Sequence, residues 1–366
     1  NPMRTVFSFA ALLYFGVAGG VCAADVNQDL SQFSSSVRNY NVLSLGSSSL
    51  YNYNSVEGGV ATLGSGSMTG GAIGSRVSAG SDPTLYVGGS VSINGYVDLN
   101  NGYASLPGVT SYTWDSGQKR LTTGGGTLST SNSTDPLASR NPVTNPIPSW
   151  TSLSATLQAV SADLRSIAAN GTIAVSNGNL TFSTSLQSGV AVFNLDAGQL
   201  NNNSYNGTSF SNLSINVPAD VTFVVNVLNA SGKTLFGSGV NFNQGANNDH
   251  LLWNIVGTGS VSLGGGHFYG SVLAAGMSVS NANNTYINGQ LAVGSFTLNN
   301  AGLQFTQFKH PVPEPSLTGV VMLGSALAAF FGLRSRKVRR TPQRISRRPR
   351  KPREIRATGP TARIKV

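Results

Sequence analysis

Between residues 25 and 310 the apolar residues come in short bursts bounded by glycine and asparagine. Examples are Thr172-Ile173-Ala174-Val175, Leu180-Thr181-Phe182, Val221-Thr222-Phe223-Val224-Val225-Asn226-Val227, Val261-Ser262-Leu263 and Phe296-Thr297-Leu298. Such bursts, rich in β-branched and aromatic residues and interleaved with polar ones, suit short strands. The body is therefore expected to be mainly β. A weak repeat narrows this further: Phe268-Tyr269-Gly270-Ser271-Val272-Leu273-Ala274 is echoed 19 residues on by Ile287-Asn288-Gly289-Gln290-Leu291-Ala292. Val56-Glu57-Gly58-Gly59-Val60-Ala61 and Tyr86-Val87-Gly88-Gly89-Ser90-Val91 are earlier variants. A period of about 20 residues with glycine and asparagine corners predicts a β-solenoid, parallel β-helix-like, in which each strand stacks on its equivalents. An antiparallel sandwich is the competing fold.

One helix interrupts the pattern. Trp150, Leu153, Leu157, Val160, Leu164 and Ile167 recur at three- and four-residue spacing, which predicts a flanking helix over 150–170 closed by Asn170-Gly171. Its apolar stripe requires a partner, most simply one side of the β-stack. Residues 121–148, rich in Ser, Thr and Gly and then in Pro, read as a linker. The Asn-rich stretch 199–214 reads as an exposed loop.

The chain ends carry addresses. Met3-Arg4, the apolar run Val6–Val17 and Val21-Cys22-Ala23-Ala24 have the order of a secretory signal peptide over 1–24. The one cysteine, Cys22, would leave with it, so no disulfide is expected in the mature chain. Near the other end, Val312-Pro313-Glu314-Pro315 precedes an uncharged apolar run, 316–333, and then Arg334-Ser335-Arg336-Lys337. Eighteen residues at 1.5 Å each give a helix of about 27 Å, close to a bilayer's hydrocarbon thickness. A C-terminal transmembrane helix over 316–333 is expected, with the basic cluster left on the cytoplasmic side. The order of these parts resembles the PEP-CTERM sorting signal of Gram-negative bacteria. That resemblance implies a sorting segment over 311–340, with Val312, Pro313, Glu314 and Pro315 as its motif, and an exosortase-like membrane protease as its partner. Residues 341–366 are expected to be a basic disordered tail.

Net charge must be read by segment. From Arg334 onward 14 Lys and Arg face the single acid Glu354, whereas residues 24–333 hold 8 bases and 12 acids. The body is thus mildly acidic, and the basic tail follows a membrane span without interleaved aromatics. Stop-transfer explains it, and no nucleic-acid partner is expected.

No catalytic residue emerges. Asp249-His250 with His267 is the conceivable triad or metal group, yet no Gly-x-Ser-x-Gly elbow occurs and the spacing fits no metal pattern. Ser231-Gly232-Lys233-Thr234 resembles the tail of a phosphate loop, but Val227 stands where that motif needs glycine, so a hairpin turn is expected. Glu57, Asp98 and Asp196 are lone carboxylates without a calcium-binding repeat. No enzyme activity, cofactor or metal is expected. For polysaccharide recognition the stacking candidates are Tyr86, Tyr96, Tyr103, Tyr269 and Tyr286. Ice binding would need a sustained Thr-x-Thr array, and none is legible along the chain.

Tyr40-Asn41-Val42-Leu43-Ser44-Leu45-Gly46, Ser55-Val56-Glu57-Gly58, Leu85-Tyr86-Val87-Gly88-Gly89, Val192-Phe193-Asn194-Leu195, Leu252-Trp253-Asn254 and His267–Ala275 follow one another. In that order, with the 150–170 helix between them, they resemble the blocks of choice-of-anchor A domains over residues 25–310. The closing stretch Leu252–Leu303 is distantly similar to ice-binding β-solenoids with a flanking helix. The resemblance implies an exported protein, held at the inner membrane by its C-terminal helix and then released to the cell surface or medium. Its role would be structural or adhesive, with extracellular polysaccharide or a cell surface as partner. An ice- or surface-binding protein on the same scaffold, and a secreted hydrolase, are the alternatives.

Overall fold

The computed structural model describes residues 23–310, apart from 78–82, 124, 131–149, 202, 246 and 283. Residues 1–22 of the expected signal peptide, the Val312–Pro315 motif, the expected 316–333 membrane helix and the basic tail lie outside the described residues. No helix among the described residues is long and apolar enough to cross a membrane.

The short bursts do form strands, and they stack in parallel as a three-faced solenoid. The first face runs through Gly189–Asp196, Val221–Leu228, Leu251–Ile255 and the opening halves of Ser271–Asn281 and Leu291–Asn299. It then continues through Tyr40–Ser44, Gly59–Thr62, Leu85–Val87 and Ala104–Ser105. The stacking order is therefore not the chain order. The chain starts in the middle of the stack, winds to one end, crosses to the other, and returns so that its last coil pairs with its first: Val42 is in register with Leu291 on one side and Val60 on the other.

Glycine makes the corner after the first face possible. A Cβ on Gly46 would lie 2.7 Å from the Gly294 carbonyl oxygen, and one on Gly64 would lie 2.8 Å from Gly46 carbonyl carbon, so successive coils touch backbone to backbone there. Ser231 and Gly232 form a corner between Val221–Leu228 and the strand Lys233–Leu235, which stacks in parallel on Gly259–Leu263 and so corrects the expected hairpin turn.

Two helices, not one, cover the first face. The expected helix is α2, Trp150–Ser166; the second, α1, Ala23–Val37, went unread in its Ser- and Gln-rich sequence. In α1 the residues Val26, Leu30, Phe33 and Val37 recur on one side and are buried. It ends where Arg38 turns left-handed (φ 42°), with its amide bonded to the Ser34 carbonyl. Leu153, Leu157, Val160 and Leu164 of α2 pack with the outward residues Leu43, Ala61, Val192, Val224, Leu252, Leu273 and Ala292 of the first face. Each such leucine or valine contributes about 1.5–3 kcal/mol when fully buried. These strands are consequently buried on both sides, and read as continuous rather than alternating apolar runs. Buried polar groups under α2 are satisfied by a ladder of amides. Asn226 Nδ2 donates to the Leu164 carbonyl, and Asn254 Nδ2 donates to the Ser161 carbonyl and to Asn226 Oδ1.

Three local expectations change. Asn170 does not close α2, which ends at Ser166. Its side chain instead accepts from Val192 N and donates to Val190 O along the free edge of an end strand, an edge that would otherwise template aggregation. The first part of the expected linker is strand, since Arg120–Thr123 and Gly126–Thr130 pair and the latter joins Val91–Leu99. The Asn-rich stretch holds a small antiparallel sheet over 200–209 and the solenoid strand Asn212–Ile215.

Candidate binding face

The second face is built from Lys233–Leu235, Gly259–Leu263, the later halves of Ser271–Asn281 and Leu291–Asn299, Ser48–Tyr51, Gly66–Thr69 and the start of Val91–Leu99. Alternation turns Leu50, Met68, Ile93, Val261, Val279, Phe296 and Leu298 into the core. Register then decides what the outward positions become. Thr234, Ser262, Ser280, Thr297, Ser49, Ser67 and Ser92 align as one column of hydroxyls across seven consecutive strands. Two residues earlier in six of those strands stand Ser260, Ser278, Ser295, Ser47, Ser65 and Ser90, a second column made entirely of serine. A shorter third column is Asn299, Tyr51, Thr69 and Asn94.

With strands about 4.8 Å apart and alternate residues about 6.6 Å apart, the columns form a nearly regular grid of hydroxyls. Neighbouring rungs are bonded: Ser262 Oγ to Ser280 Oγ at 2.8 Å, Ser278 Oγ to Ser295 Oγ at 2.6 Å, and Ser90 Oγ to Ser65 Oγ at 2.8 Å. No residue of the three columns is charged. Gln158, Ser161, Ala162 and Arg165 of α2 border one edge of it, lining a groove with Ser260, Ser278 and Ser295, while Ser47, Ser65, Ser90, Ser260 and Ser278 are exposed.

The grid is the candidate feature that sequence reading missed. No Thr-x-Thr array exists, but a Ser-x-Ser/Thr array does. Its rungs are separated by 17, 18, 25 or 28 residues in the chain, and the rung between Thr297 and Ser49 joins opposite ends of it.

The residues considered for chemistry are dispersed. Asp249 Oδ2 pairs with Lys309 Nζ at 3.0 Å, and His250 Nε2 lies 3.8 Å from Asp249 Oδ1. His267 stands elsewhere, stacked on Tyr269 and Tyr286 of the third face. No group of three or more His, Cys, Asp or Glu among the described residues is arranged to hold a metal ion. Glu57 is held by Arg76 (3.2 Å) and the Phe305 amide, and Asp196 accepts from Gly198 N and Asn229 Nδ2. Asp98 accepts from Ser129 Oγ. Burial, and next the charge of Asp98, drive the Tyr53 hydroxyl above the ordinary phenol range, so it stays a neutral core group. Burial, then the neighbouring His250, pulls His310 below the ordinary imidazole value. Of the aromatics, Tyr86 and Tyr103 are buried. Tyr96 is exposed beneath the Arg120 guanidinium, 5.4 Å from its ring centre, and Tyr269 and Tyr286 are half-buried.

Residues 33–305 match the model of a family described as "Putative Ice-binding-like adhesive domain". No curated protein matches the chain. Among solved structures it is similar to an ice-binding protein from the Antarctic ascomycete Antarctomyces psychrotrophicus, at 14% identity and TM-score 0.36, over 74% of this chain and 96% of that one. An ice-binding protein from an Arctic yeast aligns at 16% and 0.34 over 78% and 98%. Ice-binding protein 1 of Shewanella frigidimarina aligns at 14% and 0.35 over 74% and 96%.

Proposed function

This chain belongs to the family of ice-binding-like adhesive domains, and we propose that it is an exported, non-enzymatic adhesin that grips a repeating, hydroxyl-rich surface through its second face. The observation that carries this reading is the pair of uncharged hydroxyl columns spanning six and seven strands. A single hydroxyl contact contributes about 0.5–1.5 kcal/mol net. A flat rigid array makes many at once, and the solenoid has already met the ordering cost that a flexible binder would incur. No charged side chain stands in the columns themselves, which favours a neutral hydrated surface such as extracellular polysaccharide as the target. Ice is the second reading, favoured by the regularity of the grid.

Export and sorting belong to the same proposal. The 1–24 segment would direct secretion, 316–333 would hold the chain in the inner membrane, and an exosortase-like protease would read Val312-Pro313-Glu314-Pro315 and release the domain to the cell surface. The order of parts at the chain ends supports this, as does a choice-of-anchor A-like body.

The central rungs give the test. Ser49→Tyr and Thr297→Tyr each raise a bulky ring in the middle of the grid. Retention on insoluble neutral polysaccharide and partition into a growing ice front are measured for native protein and both variants. Retention on polysaccharide that falls at least tenfold in the variants, with unchanged melting, supports adhesion. Ice partition alone, lost in the variants, supports the second reading. Retention that both variants preserve overturns the assignment of this face.

A further inference from the structure

The third face carries a different chemistry. It runs through His267–Tyr269, Tyr286–Asn288 and Leu303–Gln304, with Phe268, Ile287 and Leu303 turned into the core. The outward side chains there are aromatic and amide. His267 is in register with Tyr286, and Tyr269 with Asn288, which is in turn in register with Gln304.

The three rings share nearly one orientation. His267 and Tyr286 are inclined by 25° with centres 5.5 Å apart, and His267 and Tyr269 by 20° with centres 5.9 Å apart. The Tyr286 ring lies over the next coil at Gly302. A Cβ at that glycine would come within 3.2 Å of its Cε1 and 3.4 Å of its Cδ1, so one edge of the ring borders the space of the missing side chain. Its hydroxyl is fixed by Asn54 Nδ2 at 2.8 Å. Beside the rings, Asn288 Nδ2 donates to Gln304 Oε1 at 3.1 Å, forming an exposed amide pair.

We infer that His267, Tyr269, Tyr286, Asn54, Asn288 and Gln304 form a binding site for a neutral pyranose oligosaccharide, separate from the hydroxyl face. A pyranose ring presents an apolar face of C–H groups, edged by hydroxyls that both donate and accept. A row of aromatic rings bordered by carboxamides matches both features: the rings cover the C–H face, and amides satisfy hydroxyls of either polarity. No carboxylate, lysine or arginine is among the six, which favours an uncharged sugar over a uronic acid or a phosphorylated one. The site gives the domain a second grip, on soluble or chain-end glycan, whatever the hydroxyl face holds.

The test is calorimetric titration of the full chain with soluble tetrasaccharides of β-linked glucose and of β-linked N-acetylglucosamine. At least one binds, and Tyr286→Ala and His267→Ala each weaken it by roughly fivefold to tenfold, the value of one aromatic contact. Gly302→Ala, which displaces the Tyr286 ring without removing it, weakens binding as well. Ser49→Tyr, on the other face, leaves it unchanged. Should Tyr286→Ala fail to fold, the exposed His267 and the Gly302 variant decide the matter. The proposal is overturned if neither sugar binds, if the aromatic truncations leave affinity unchanged, or if Ser49→Tyr abolishes binding. The adhesion proposal is read separately, since retention on a solid surface depends there on Ser49 and Thr297.

Discussion

Gln290 is the residue on which closure of the stack depends. Its carboxamide is fully buried between the last coil and the start of the first. Nε2 donates to the Arg38 carbonyl at 2.6 Å and the Tyr40 carbonyl at 3.0 Å, and Oε1 accepts from Phe308 N at 2.8 Å. Gln290→Leu preserves much of the shape but removes all three of these buried hydrogen bonds. At about 1–1.5 kcal/mol per lost buried hydrogen bond the loss is roughly 3–4.5 kcal/mol, and the easier burial of leucine returns about 1, leaving about 3. For a body of this size that lowers the melting temperature by about 5 °C. The assay is urea unfolding followed by hydrogen exchange, with Gln304→Leu as the exposed control, expected within about 0.5 kcal/mol of native. Exchange should rise together in Tyr40–Ser44 and Leu291–Val293, which are paired strands from opposite ends of the chain. A loss below about 1 kcal/mol, or exposure of only one of the two strands, would refute the reasoning that this amide clasps the coils.

Two further outcomes are expected. Gly64→Ala drives a Cβ to 2.8 Å from the Gly46 backbone and should cost about 1–3 kcal/mol by denaturant unfolding, whereas Gly266→Ala, with open space around it, should be nearly neutral. His310 titrates lower in the folded chain than in the unfolded one, for which about 6.5 applies, so the unfolded state binds more protons near that pH. Stability is therefore full above about pH 6.5 and falls as pH drops through that value toward the depressed folded pKa; His310→Asn should flatten this dependence in melts taken from pH 7.5 to pH 5.

Much of the architecture was legible because local chemistry dictates it. Short bursts bounded by Gly and Asn can only be short strands with tight corners, and the leucine spacing of 150–170 can only be an amphipathic helix. The helix α1 was equally periodic at Val26, Leu30, Phe33 and Val37, but four apolar residues among Ser, Asn and Gln are a faint stripe. The polar face of residues 199–214 hid strands for a related reason: Leu213 and Ile215 are enough to hold a rung when neighbouring coils supply the rest of the core.

The binding face shows where local reading ends. Serine is the commonest residue of this chain, and nothing in Ser65-Gly66-Ser67 distinguishes it from any other polar pair. Which serines line up is set by coil length and by register, and coil length varies because corners differ. The decisive rung, Thr297 beside Ser49, arises because the last coil docks on the first, a pairing fixed by backbone hydrogen bonds and by the buried Asn41 and Gln290 amides. Composition and alternation thus determined strands and the helix α2, since those depend on neighbours within a few residues. Only the tertiary structure decided that scattered hydroxyls become one flat grid, because register brings together residues that the chain keeps far apart.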